Sequence, residues 1–403
     1  MNTPILDGVR VFDLSIVTAG AGCTQVLADF GAEIIKIESA TKPDLFRGWY
    51  QPNTTEGDLD GSGFRTVNRN KKAFGVDLKN PEGLAVAKRL IAECDVVVEN
   101  YRQGVLARLG LGFDELVKIK PDIVLVSVAS QGTTGPDSRY GSFGSPLDAL
   151  GGSMSVTGYD EAHPLWSSQQ VNYPDQTASI LGPALIVLGI RAARAAGEAR
   201  WIDISQREIV TALLPEAVLN SSLGGADPIP QCNRGYDSLE WATACAGEDN
   251  WLAVSLTDEA DRAELAKAVG AQDTVDDDAL IEAVDRWSRT RPRAEAAGEL
   301  QRLGIAAAPV MRGFELRDDG YFQDIGYFQT VEREGHDPEL QRGWIVRFDD
   351  NADAGAISRR APHIGEHTAE IMTDMLGYTV AEVQQLSDSG AITYPADSLQ
   401  LAH

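Results

Sequence analysis

The chain has 403 residues, 43% hydrophobic and 24% charged, a composition able to bury a core without disulfide or metal staples. Its 35 Lys and Arg stand against 60 Asp and Glu, a formal net charge of −25. Collagen-like, disordered and disulfide-scaffold classes are excluded, and so acidic a surface argues against a nucleic-acid partner.

At roughly 100–200 residues per domain, the length predicts two domains or one large domain with an insertion. The start, Met1 to Asp7, lacks the basic and apolar regions of a signal peptide, which predicts a cytoplasmic protein. Val9 to Leu14 reads as a strand, followed by a small-residue loop, Thr18-Ala-Gly-Ala-Gly22, a helix from Cys23 to Phe30 and a strand from Glu33 to Ile37. Gly20-Ala-Gly22, with Glu38 closing the second strand, is half of a dinucleotide fingerprint, but the third glycine is replaced by Gln25. An NAD site is therefore not supported.

Next comes the densest basic cluster, Asn68-Arg-Asn-Lys71-Lys72, which reads either as an exposed turn or as a set of phosphate donors. Residues 65–120 hold eleven basic against seven acidic side chains, a positive stretch in an acidic protein and a plausible seat for an anionic ligand. Within it, helix 82–93, strand Asp95 to Val98, helix 113–120 and strand Ile123 to Ser127 continue the alternation that predicts a parallel sheet. Glu99-Asn100-Tyr101-Arg102-Gln103-Gly104 stands at the carboxyl end of one of these strands, where open α/β sheets bind ligands, and Arg108 lies one helical turn beyond.

After Gly151-Gly152 the rhythm changes. Tyr173-Pro174-Asp175-Gln176 precedes a long apolar helix, 176–196. Asp175 reads either as a capping residue or as a carboxylate nucleophile, already ionised at neutral pH. The apolar run Ala178 to Ile190 is interrupted by Gly182-Pro183 and falls short of the ~20 residues that span a bilayer, so no membrane segment is expected. Strand Arg200 to Ile204 and helix 206–219 complete a large domain, 1–220. Then follow a linker, 221–240, a small α+β domain, 241–325, and a terminal segment, 326–403. Cys23, Cys94, Cys232 and Cys245 share no CxxC spacing, and the 5 histidines form no HExxH, so no metal site and no permanently bound cofactor is expected.

Matching segments run the length of the chain. They are Leu6 to Ser15, Leu27 to Glu38, Asn68 to Lys71 with Val76-Asp-Leu-Lys79, Asp95 to Asn100 and Gly104 to Leu111. Further on come Gly132 to Pro136, Ile202 to Gln206 and Ala361 to Thr368. In that order they resemble the class III coenzyme A transferases, the group that includes formyl-CoA:oxalate and carnitine-type enzymes. The resemblance implies an α/β fold: a Rossmann-like large domain with a parallel sheet and a smaller α+β domain, in an interlocked, ring-like homodimer whose C-terminal segment returns to the large domain. It also implies acyl-CoA and small carboxylic acids as substrates.

By motif position Asp175 matches the family's catalytic aspartate. Coenzyme A contacts are implied at Val17 and Thr18, at Val76, Asp77, Leu78 and Lys79, at Asn100, Tyr101, Arg102 and Arg108, and at Arg139 and Tyr140. Some positions depart from the formyl/oxalate branch: Thr18 replaces its glutamine, Ser39 its arginine, and 231–247 lack its glycine-rich loop, offering only Gly235 and Gly247. Tyr173-Pro-Asp175, Tyr140-Gly-Ser-Phe and Gly151-Gly look more like the branch acting on larger carboxylic or dicarboxylic acids such as benzylsuccinate. Trp166, Tyr173, Tyr236 and Trp241 are candidates to line the acyl pocket. The α-methylacyl-CoA racemases share the implied fold but use a histidine in the stretch that here reads Arg139-Tyr140-Gly141-Ser142; the nearest histidine is His163.

Overall fold

Runs of Val and Ile flanked by polar turns form strands wherever both faces can be covered. The structure, a computed structural model, describes residues 4–48, 61–159, 163–166, 172–226, 228–230, 234, 235, 238–273, 276–335, 337–346, 348 and 354–395. Cys232 and Tyr236 lie outside them. In chain order the strands are β1 (Arg10–Asp13), β2 (Glu33–Glu38), β3 (Lys72–Val76), β4 (Val96–Glu99), β5 (Val124–Ala129) and β6 (Arg200–Ser205). After these come β7 (Leu239–Ala244), β8 (Trp251–Leu256), β9 (Ala306–Pro309), β10 (Phe328–Val331), β11 (Glu339–Arg342) and β12 (Ile392–Thr393).

The chain divides into two compact units, one of Met1–Gly152, Ser167–Pro215 and Ile325–His403, the other of Ser153–Trp166 and Glu216–Asp324. In the first, a seven-stranded sheet runs β12-β3-β2-β1-β4-β5-β6, parallel except that β12 pairs antiparallel with β3. The order reverses at β1, as in dinucleotide-binding α/β sheets. Both faces are covered: Phe12, Ile35, Val97 and Leu125 pack on one side, Val11, Ile34, Val96 and Val126 on the other. The second unit is a three-stranded antiparallel sheet, β7-β8-β9, backed by the helices Glu259–Ala268, Asp277–Ser288 and Arg293–Arg302.

Several expectations are corrected. The small-residue stretch is not a loop: the helix starts at Ala19, so Gly20 and Gly22 lie inside it. A Cβ on Gly20 would come 2.5 Å from Ser15 Cβ, and one on Gly22 would run into Ser179 of the helix Tyr173–Ala196. The glycines serve close packing, which is why they imitate a phosphate fingerprint without completing it. The apolar helix begins at Tyr173 and runs unbroken through Pro183 to Ala196. By length and composition it is long and apolar enough to cross a membrane, with 44% of its most apolar stretch buried. The expected helix 206–219 is two, Gln206–Ala212 and Pro215–Ser222, because Pro215 cannot continue the first.

The basic cluster is neither an exposed turn nor a set of free phosphate donors. Lys72 opens β3, while Arg69 and Lys71 are fully buried. Lys71 Nζ lies within hydrogen-bond distance of four acceptors, Asp13 Oδ2 (3.0 Å), Ala21 O (2.9 Å), Thr24 Oγ1 (2.8 Å) and Asn68 Oδ1 (2.9 Å), shared among its three N–H groups. Arg69 pairs with buried Asp29 at 2.7 Å. Burial alone would raise the Asp13 carboxyl, but the Lys71 and Lys36 ammonium groups and the Ser15 and Thr24 hydroxyls hold it below the usual carboxylate range.

Candidate active site

The parallel strands of the first unit point their carboxyl ends to one edge, and the loops there diverge where the order reverses between β1 and β4. The chain leaves β1 through Ser15-Ile-Val17 and turns into the helix Ala19–Asp29 by way of Val17, whose φ is +61°. A β-branched residue in the left-handed region is strained, so the surroundings must impose this turn. They do so from three places. Asn100, just past β4, donates to Ile16 O (2.7 Å) and accepts from Ile16 N (2.8 Å). The buried Asp44 carboxylate accepts from Val17 N (3.2 Å) and from Lys36 Nζ (2.9 Å). Lys36 Nζ also donates to Ser15 O.

The same turn is tied to the helix that carries Asp175. Ser179 Oγ lies 3.2 Å from both Thr18 O and Ala19 O, and 2.8 Å from Asp175 O one turn earlier. Asp175 is the third residue of the helix; the cap position belongs to Asn172, so the expectation of a capping aspartate is corrected. Asp175 is half-buried. Burial pushes its carboxyl up to about 7, and the charge of Asp148, buried on the helix Gly144–Gly151, adds to the rise. The amino end of its own helix acts in the opposite sense.

Were this carboxyl to act as a nucleophile, only its ionised form would serve, and turnover would climb with pH through about 7. Asp148→Asn should move that limb to lower pH, read from kcat/KM between pH 5 and 9. A limb that stays in place would remove Asp148 from the account.

The positions predicted for coenzyme A contacts spread along this carboxyl edge. Val17 and Thr18 follow β1, Val76 to Lys79 end and follow β3, Asn100 to Arg102 follow β4, Arg108 closes the short helix Val105–Arg108, and Arg139 and Tyr140 lie in the loop after β5. They are not equivalent. Val76 is buried, and the Asn100 amide bonds Ile16 in both directions. Lys79, Arg102, Arg108 and Arg139 are exposed, without an ion-pair partner among the described residues. Gly141 lies against the Arg102 guanidinium, where a Cβ would come 2.5 Å from its Cζ, so the loop of Arg139 and Tyr140 meets Arg102. Beside Arg102 opens a cavity of about 220 Å³ lined by Glu99, Tyr101, Gly104, Phe113 and Trp201. Phe113 and Trp201 stack there with centroids 5.6 Å apart.

Of the acyl-pocket candidates, Trp241 lines a cavity of about 1300 Å³ within the second unit, together with Trp251, Gln301 and Val310. Trp166 and Tyr173 are exposed. Sequence reasoning passed over Ser179, Asp44, Lys36 and Asp148, since lone polar residues in apolar or charged runs carry no spacing signal. Among the described residues no group of three or more His, Cys, Asp or Glu could hold a metal ion.

Comparison with known proteins identifies the family. The family model described as CoA-transferase family III matches residues 6–368. A probable CoA-transferase of Mycobacterium tuberculosis is 29% identical over 97% of this chain and 50% of its own length, so the chain spans about half of that relative. The succinyl-CoA–D-citramalate CoA-transferase of Chloroflexus aurantiacus is 28% identical over 94% of this chain and 96% of its own. The crystal structure of a CAIB/BAIF family protein from Brucella suis superposes with a TM-score of 0.84 at 25% identity, covering 93% of this chain and 100% of that one.

Proposed function

The chain belongs to CoA-transferase family III and is an enzyme of that class, and from this premise we propose that it moves coenzyme A from an acyl-CoA donor to a carboxylic acid, with Asp175 as the nucleophile. The observation that carries the reading is the placement of Asp175, half-buried in the first turn of a helix that Ser179 ties to the Val17–Thr18 turn at the sheet's switch point. A carboxylate there attacks the donor thioester, releasing coenzyme A thiolate and leaving an aspartyl–acyl anhydride. The thiolate attacks the aspartyl carbonyl, the donor acid departs, and an aspartyl-CoA thioester remains. The acceptor carboxylate attacks that thioester, again freeing thiolate and forming a second mixed anhydride. The thiolate then takes the acceptor's acyl group and restores Asp175. Each step trades one activated carbonyl for another, so the protein's task is to exclude water and hold the partners in line.

Exposed Lys79, Arg102, Arg108 and Arg139 are the groups best placed to meet the anionic phosphates of coenzyme A. The acceptor we assign to the larger or dicarboxylic acids. Ser39 and the missing glycine-rich loop depart from the formyl/oxalate branch, and the citramalate transferase above acts on a dicarboxylic acid by its name. The protein is taken to be a homodimer, which suits the apolar face that Ile180, Leu181, Leu185 and Leu188 expose on the helix Tyr173–Ala196; a monomer by light scattering would exclude it.

The covalent route is tested by incubating the full chain with a panel of acyl-CoA thioesters, quenching with hydroxylamine and mapping the adduct by mass spectrometry. A hydroxamate on Asp175 is expected, and the thioester that produces it names the donor. No adduct, together with α-proton exchange of a substrate in deuterated water, would replace the transferase mechanism by the racemase one.

A further inference from the structure

The left-handed turn at Val17 is held by groups that come from far away in sequence, and two of them, Asn100 and Asp44, are polar side chains that bond its backbone. The Asn100 amide makes both of its hydrogen bonds with one residue, Ile16, donating to its carbonyl at 2.7 Å and accepting from its N–H at 2.8 Å. Asp44, 2% exposed, faces Val17 N at 3.2 and 3.3 Å and is itself fixed by Lys36 at 2.9 Å and by Phe46 N at 3.0 Å. The Val17 side chain packs on the cluster of Phe46, Phe64 and Val67, so it faces inward while the turn directs the following residue, Thr18, to the start of the helix. Thr18 O in turn meets Ser179 Oγ at 3.2 Å, the link to the turn that bears Asp175. A β-branched residue at φ +61° sits there against its own backbone preference.

We propose that Asn100, with Asp44 behind it, is a positioning residue that holds Val17 in its left-handed turn and thereby shapes the coenzyme A crevice, rather than a residue that touches coenzyme A. The proposal rests on the reading that coenzyme A binds at this edge. When the clamp is cut, an L-residue relaxes out of the left-handed region, and binding must restore the turn against a preference of about tenfold. Glycine has no such preference, so the clamp is dispensable wherever Val17 is replaced by glycine.

The test is a double-mutant cycle of Asn100→Ala and Val17→Gly on the dissociation constant of free coenzyme A, by calorimetry with the full chain, with far-UV circular dichroism of each variant. Asn100→Ser takes the place of Asn100→Ala where the latter does not fold. In the Val17 chain Asn100→Ala should weaken binding about tenfold. In the Val17→Gly chain the same change should cost at most about twofold, because the strain it releases is gone. Equal losses in both backgrounds would make Asn100 a direct contact and overturn the clamp, as would unchanged binding in Asn100→Ala alone. A wild-type chain that binds no coenzyme A overturns the underlying reading instead, which separates the two failures.

Discussion

Replacing Asp175 by alanine is expected to leave a folded chain that binds coenzyme A but turns over about 10³–10⁶-fold more slowly, the range seen when a covalent nucleophile is deleted. The fold should survive because the side chain supports little: it neither caps its helix nor, among the described residues, makes an ion pair. Its contribution to stability runs the other way. The carboxyl has an ordinary value of 3.8 and rises to about 7 in the fold, so between those pH values the folded state holds a proton that the unfolded state has lost. Stability from this group therefore falls as pH rises through that window, and removing the carboxylate above pH 7 should be neutral or mildly stabilising. Steady-state rates, coenzyme A calorimetry and thermal melts of Asp175→Ala at pH 8 check the three statements together. A rate within tenfold of the native enzyme would end the covalent mechanism.

Lys71→Met is expected to be among the most damaging single changes to stability, at about 3–5 kcal/mol, because it removes one partner of a fully buried pair and leaves the other charge behind. Lys71 and Asp13 are both at 0% exposure, 3.0 Å apart, and Lys71 Nζ also serves Ala21 O, Thr24 Oγ1 and Asn68 Oδ1. Methionine fills the volume but satisfies none of these groups. The urea midpoint should fall at unchanged slope. The surface pair Lys118–Glu115, 2.5 Å apart but exposed on both sides, is the control, and Lys118→Met should leave the midpoint in place. A loss below about 1 kcal/mol in Lys71→Met would mean that Lys36 alone compensates the buried Asp13.

These two residues mark opposite sides of what a one-dimensional reading can reach. The parallel sheet was legible because β4 and β5, buried on both faces, read as near-continuous apolar runs, and β1 and β2 as short apolar stretches between polar ends, with helices of clear period between them. Asp175 was a candidate only through the family resemblance, since Tyr173-Pro-Asp175 at the start of an apolar helix reads equally as a helix cap. β3 was hidden by the lysines at its start, and β12, of 2 residues, is too short to carry any pattern.

What the chain alone determined is therefore the alternation of elements and the parallel sheet, which depend on residues close together in sequence, and, through the ordered family segments, the class of chemistry. Only the tertiary structure decided which charges are structural. Lys71 reads as exposed until Asp13, 58 residues earlier, is placed beside it, and nothing near Asn100 in sequence shows that its amide bonds Ile16, 84 residues away, in both directions. Gly20 and Gly22 likewise read as a phosphate loop until Ser15 and Ser179 crowd them. The physical reason is common to all: a polar or small residue has no fixed environment of its own, and the partner that satisfies it comes from a distant part of the chain that folding alone brings near.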